Sequence, residues 1–151
     1  AAVADLDAAA ALIRPQDGWR PSPGERAFAR RWATLALITV GDLESAREHI
    51  EAAVEDLSQD PDHPEVAEVR YHLAQLRWHE GRHREAYEAA ERCLEAAERH
   101  GEPQALARGY EMLALACHSL GEWREGVGFE EQRQSLVGAQ VDVAQAFDVH
   151  L

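Results

Sequence analysis

Apolar residues recur along this chain at helical spacing, in blocks separated by short polar connections. Val66, Val69, Leu73 and Leu76 fall three and four residues apart, on one face of a helix. After a short break Ala86, Ala90, Leu94 and Ala97 make a second stripe. An earlier block carries its own second stripe in Leu43, Ala46, Ile50, Ala53 and Leu57. A strand reading fits poorly, because the period is helical and Ala, Glu, Arg and Leu dominate. The last block departs from the pattern: Glu130, Arg133 and Gln134 stand where the first block has Ile50, Ala53 and Val54. Its apolar residues Trp123, Val127, Phe129, Leu136 and Val137 define another face. That face is expected to pack loosely, or to meet another chain or a further repeat, with Phe129 as the candidate contact.

The blocks are repeats. Gly41, Gly81 and Gly121 are spaced by 40 residues, and each opens a similar line: Gly41-Asp42-Leu43-Glu44-Ser45-Ala46, Gly81-Arg82-His83-Arg84-Glu85-Ala86, Gly121-Glu122-Trp123-Arg124-Glu125-Gly126. Ala33, Leu73 and Leu113 stand eight residues before the glycines, and the small residues Thr34, Ala74 and Ala114 seven before. Pro23, Pro64 and Pro103 keep nearly the same beat, and proline fits the first turn of a helix. Ser22-Pro23-Gly24-Glu25 and Asp62-His63-Pro64-Glu65 read as capping boxes. Each glycine supplies the left-handed residue that ends one helix and turns the chain into the next. The unit is an antiparallel helix pair, and such pairs must stack to bury their apolar faces. Residues 2–13, with Val3, Leu6, Ala10 and Ile13, read as the second helix of a preceding repeat, and Val141, Ala144, Phe147 and Leu151 as the start of a further first helix. Neither end carries a polar cap, which leads us to expect a segment of a longer chain or ends that pair with another copy.

These columns resemble the tetratricopeptide repeat: Leu followed by a small residue, then Gly, then Ala five residues later. Leu73-Ala74, Gly81 and Ala86 match most closely, Ala33-Thr34, Gly41 and Ala46 next, and the third repeat has Gly126 where Ala belongs. The longer period resembles the helical regions of large bacterial signalling ATPases and transcription regulators. The resemblance implies an all-α, right-handed α-α superhelix of about eight helices in a single domain. Repeats would span 23–60, 63–100 and 103–137, with part-repeats at 2–13 and 139–151. It also implies that the first helix of each pair lines a concave groove. Counting back from each glycine by the family's groove offsets gives Phe28, Arg31, Leu35, Ile38 and Thr39; Glu68, Tyr71, Gln75, Trp78 and His79; and Arg108, Glu111, Leu115, His118 and Ser119. Tyr71, Trp78 and the two arginines are residue types that anchor interfaces, although both aromatics could equally pack between helices. Leu35 and Ile38 could floor a site for a peptide or partner helix. A clamp for a terminal carboxylate, as in the chaperone-binding members, is not expected, since Leu35, Gln75 and Leu115 stand where Asn would help.

Composition narrows the function further. With 15 Lys+Arg, all of them Arg, against 28 Asp+Glu, the formal charge is −13, which disfavours nucleic acid and anionic membranes as partners. The acidic excess is expected on a solvated convex face. No apolar run approaches the roughly 20 residues of a membrane span, and AAVADLD lacks a signal peptide's basic start. Cys93 and Cys117 suit buried, inert thiols in a reducing compartment. His79-Glu80-Gly81-Arg82-His83 matches the H-E-x-x-H zinc-hydrolase pattern, which needs both histidines on one face of an unbroken helix. Gly81 is the residue expected to end that helix, and Glu122 or His118 would be the third ligand to try. The other histidines, His72 among them, lack ligand spacing and are expected at surface or cap positions. No phosphate-binding or nucleophile-elbow motif occurs.

The sequence thus points to a non-catalytic protein-interaction module without cofactor, within a larger cytoplasmic bacterial protein. The rivals are a self-association module and, remotely, the zinc hydrolase.

Overall fold

The computed structural model describes the backbone of residues 20–148 and the side chains of residues 20–138. Among the described residues six helices follow one another: α1 Pro23–Val40, α2 Leu43–Asp56, α3 Glu65–His79, α4 His83–His100, α5 Pro103–Leu120 and α6 Trp123–Asp148. No strand occurs among the described residues. The chain is an all-helical solenoid of antiparallel pairs, α1–α2, α3–α4 and α5–α6. The helix expected at 2–13 lies outside the described residues. At the other end the backbone of α6 is helical without a break to Asp148, so residues 139–148 prolong the third pair's second helix, where the sequence suggested a separate helix from 139.

The helix ends are set locally. Ser22 caps α1 in a reciprocal capping box with Glu25: its Oγ accepts the Glu25 N–H, and the Glu25 carboxylate accepts the Ser22 N–H at 2.7 Å. Gly41, Gly81 and Gly121 have φ of +82°, +75° and +80°, left-handed values that an L side chain resists. The second capping box is not formed. The Glu65 N–H donates to His63 Nδ1 at 3.1 Å, while Asp62 is drawn to Arg99 across the turn at 3.0 Å. An imidazole two residues back reaches the same orphan N–H that the Asp62 carboxylate was expected to take.

Packing is dense because the crossing positions are small. Thr34, Ala74 and Ala114, one per repeat, are all buried. Ala46, Ile50, Ala53 and Leu57 of the first pair form one cluster with Val69 and Leu76 of the second. A Cβ on Gly109 would lie 3.3 Å from Leu94, so α4 and α5 pass close to each other. The first helices also pass close in series, α1 by α3 and α3 by α5, whereas among the described residues the backbones of the second helices stand farther apart, α4 reaching α6 through side chains such as Tyr87 to Glu125. An array packed tightly on one side and open on the other bends toward the packed side, so α1, α3 and α5 form the inner layer. Glu44, Glu48, Glu51, Glu55, Glu88, Glu91, Glu95 and Glu98 are exposed on the outer helices α2 and α4, as the acidic excess suggested.

Candidate functional site

On α1 the residues Phe28, Trp32, Leu35 and Thr39 share a face at helical spacing. Phe28 and Trp32 are 47% and 49% exposed and meet edge to face at 6.4 Å. The Arg31 guanidinium lies 4.8 Å from the Phe28 ring and 4.9 Å from the Trp32 ring, so one cation pins both aromatics. Trp32 is not at a groove offset and was missed. An unpaired tryptophan four residues from Phe28 was the signal available. Leu35 and Ile38 are half-buried, and Thr39 donates to the Leu35 carbonyl at 2.8 Å.

The structure joins five of the expected residues into one network across α1, α3 and α5. Arg31, only 7% exposed, donates to Glu65 at 2.6 Å and reaches Glu68 at 3.8 Å. Glu68 also accepts a hydrogen bond from Arg108 of the next repeat. The Arg108 guanidinium sits 5.4 Å from the Tyr71 ring, whose hydroxyl accepts from Gln75 at 3.0 Å. Burial, with Glu111 nearby, pushes the Tyr71 hydroxyl up to about 12. Gln75 Oε1 in turn faces His72 Nδ1 at 2.9 Å. His72 is buried, contrary to its expected surface place, and burial together with the Arg31 and Arg108 charges holds its pKa down to about 4. It lies on the side of α3 covered by neighbouring helices, a position that lone histidines do not betray in sequence.

Trp78 packs into the core between the second and third pairs, and its indole N–H donates to Ser119 Oγ at 2.9 Å. Tyr71 likewise packs between clusters. These aromatics and the two arginines connect repeats. Glu111 is half-buried, and Leu115, Ser119 and His79 are exposed along the same inner layer. His118 turns toward its own pair, stacking on Trp123 at 5.3 Å and filling space above Gly126. Phe129 also packs internally, against Tyr110 and Tyr87 at 6.2 and 6.3 Å, in place of the intermolecular contact expected for it.

The histidine pair of the zinc pattern is divided. His79 ends α3, His83 begins α4, and Gly81 turns the chain between them, so the one-face arrangement is not formed. Glu80 is taken up by Arg47 at 2.6 Å, Arg77 at 3.0 Å and Arg82 at 3.2 Å, an arrangement that holds turns together. The residues that do converge are Cys117, Glu122 and Glu125, with ligand atoms within 4.8 Å of one another. There Glu122 pairs with Arg84 at 3.0 Å, Glu125 accepts from the Tyr87 hydroxyl at 2.9 Å, and burial pushes the Cys117 thiol up to about 11. Each group is already partnered or protonated, so the cluster fits a cation poorly. Cys93 is buried as expected, its pKa pushed to about 12.

Residues 27–99 match the tetratricopeptide repeat family model, which supports a tetratricopeptide repeat fold for this part of the chain. Tetratricopeptide repeats generally mediate protein–protein interaction, which supports a non-catalytic scaffold role. No curated protein and no solved structure matches the chain. No helix of the described residues is long and apolar enough to cross a membrane.

Proposed function

We propose that the inner layer of α1, α3 and α5 binds a peptide or helix of another protein, as a regulatory segment of a larger cytoplasmic bacterial protein. The observation that carries this reading is the half-exposed pair Phe28 and Trp32, clamped by Arg31 on the inner helix α1. Rigid aromatics contribute contact area at low ordering cost, and here their conformations are fixed before any partner arrives. Leu35 and Leu115 extend the apolar surface, while Thr39, His79, Glu111 and Ser119 supply polar contacts. Arg31, Glu68, Tyr71, Gln75, Trp78 and Arg108 build the wall behind it.

Selection of peptides from a random display library against the chain tests this. Peptides recovered with it should lose at least about tenfold in affinity for Phe28→Ala/Leu115→Ala, since an aromatic anchor contributes 2 kcal/mol or more, taken as an order of magnitude. Equal binding to a variant with unchanged circular dichroism would move the site off this surface.

Self-association is a second reading, favoured by α6. Trp123, Val127 and Val137 are exposed there and share one helical face. Sedimentation at micromolar concentration checks it, and a monomer would count against it.

A further inference from the structure

We infer that the outer side of the solenoid holds a binding pocket for an amphipathic small-molecule anion, an oxyanion headgroup carried on an apolar chain, between the end of α2 and helices α3 and α4. The cavity measures about 410 Å³, within the roughly 300–1,000 Å³ of small-molecule sites. It opens where the backbones of α2 and α4 stand apart.

Its walls are of two kinds. Val54, Leu57, Pro61, Val66 and Val69 provide an apolar lining, and three arginines, Arg70, Arg92 and Arg99, line it beside one acid, Glu95. Arg99 is held by Asp62 at 3.0 Å and by the Pro61 carbonyl at 3.2 Å. Arg70 and Arg92 form no ion pair among the described residues, Glu95 included. That is unexpected in a chain with nearly twice as many acids as bases. Arg70 is also half-buried, and both burial and the neighbouring Arg92 charge act against its own. Two like charges lining one cavity, near enough for Arg92 to act on Arg70, with acids abundant elsewhere, leave a cost that an incoming anion would relieve. Guanidinium forks suit carboxylates and phosphates alike, and the lining suits the chain behind the headgroup.

The pocket is separate from the peptide surface. At 100° per residue, Val66, Val69 and Arg70 lie on the opposite side of α3 from Glu68, Tyr71 and Gln75. Both sites could therefore be occupied at once.

Titration calorimetry of the 151-residue chain with octanoate, octyl phosphate, octanol and inorganic phosphate tests the inference. Saturable binding of octanoate or octyl phosphate is expected, weakened about tenfold by Arg70→Gln or Arg92→Gln, the loss of one charge-assisted hydrogen bond. Octanol and inorganic phosphate should each bind more weakly, and the preference between the two octyl anions identifies the headgroup. No saturable binding of either octyl anion, equal binding of octanol, or binding unchanged in both arginine variants with native circular dichroism would overturn it.

Discussion

The His118 imidazole occupies the place a side chain on Gly126 would need: a Cβ there would lie 2.6 Å from His118 Cδ2. The first two repeats have Ala46 and Ala86 at this position, both fully buried. The departure of the third repeat from the family pattern is therefore an accommodation within the helix pair. The ring that turns inward, stacked on Trp123, requires the missing methyl.

Gly126→Ala is accordingly expected to destabilise the chain by about 1–3 kcal/mol, although alanine normally favours a helix interior over glycine by about 1 kcal/mol. Removing the ring should reverse the sign, so a double-mutant cycle with His118→Ala, followed by urea unfolding, should show strong coupling. Additive effects would mean the two residues do not compete for the space.

Two other glycines should respond in opposite directions. Gly81 has φ of +75° in the α3–α4 turn, and Gly81→Ala should cost about 1–2 kcal/mol. Gly128 lies inside α6 with nothing within 4 Å of an added Cβ, so Gly128→Ala should stabilise by about 0.5–1 kcal/mol. Thermal unfolding of the two variants beside the parent chain gives the order directly.

Glu68 of the second repeat links Arg31 of the first to Arg108 of the third. Glu68→Gln should lower stability by about 1–3 kcal/mol, because the nearly buried Arg31 loses part of its compensation. Glu111→Gln, at a carboxylate with no ion pair among the described residues, should cost much less. Comparable losses in chemical denaturation would remove the ladder's claim to hold the repeats together.

His72 should make the fold sensitive to mild acid. Its folded pKa, about 4, lies below the ordinary 6.5 of an unfolded chain, so the unfolded state takes up a proton that the folded state refuses. Stability from this residue is complete above about pH 6.5, falls as the pH drops toward 4 and levels off below that. Between pH 7 and pH 5 the loss is about 2 kcal/mol. His72→Gln should remove that part of the pH dependence, read as the difference in urea midpoints between the two pH values for parent and variant.

Much of the fold was legible in the chain because its determinants are local. The glycines at 41, 81 and 121 needed only their own backbone to end the helices, and Ser22 needed only Glu25 to start one. The helical stripes fixed which face of each segment turns inward, and the 40-residue beat fixed that pairs stack. Where two local solutions competed, sequence could not choose between them: at α3 His63 takes the capping N–H and Asp62 goes to Arg99.

The site was legible only as a set of positions. An offset from a glycine tells which side of a helix a residue occupies, and Trp32, Glu65 and His72 stand at no such offset. It does not tell whether that side chain meets solvent or the next repeat. Arg31, Tyr71, Trp78 and Arg108 turned out to bind neighbouring helices, while Phe28 and Leu115 stayed exposed. The pocket around Arg70 and Arg92 draws on residues from 54 to 99 on three helices, and no local pattern relates them. Helix formation and chain reversal depend on neighbours in sequence, so the sequence alone determined them. Burial, charge pairing and cavities depend on which repeat faces which across the curve of the solenoid, and only the tertiary packing decided those.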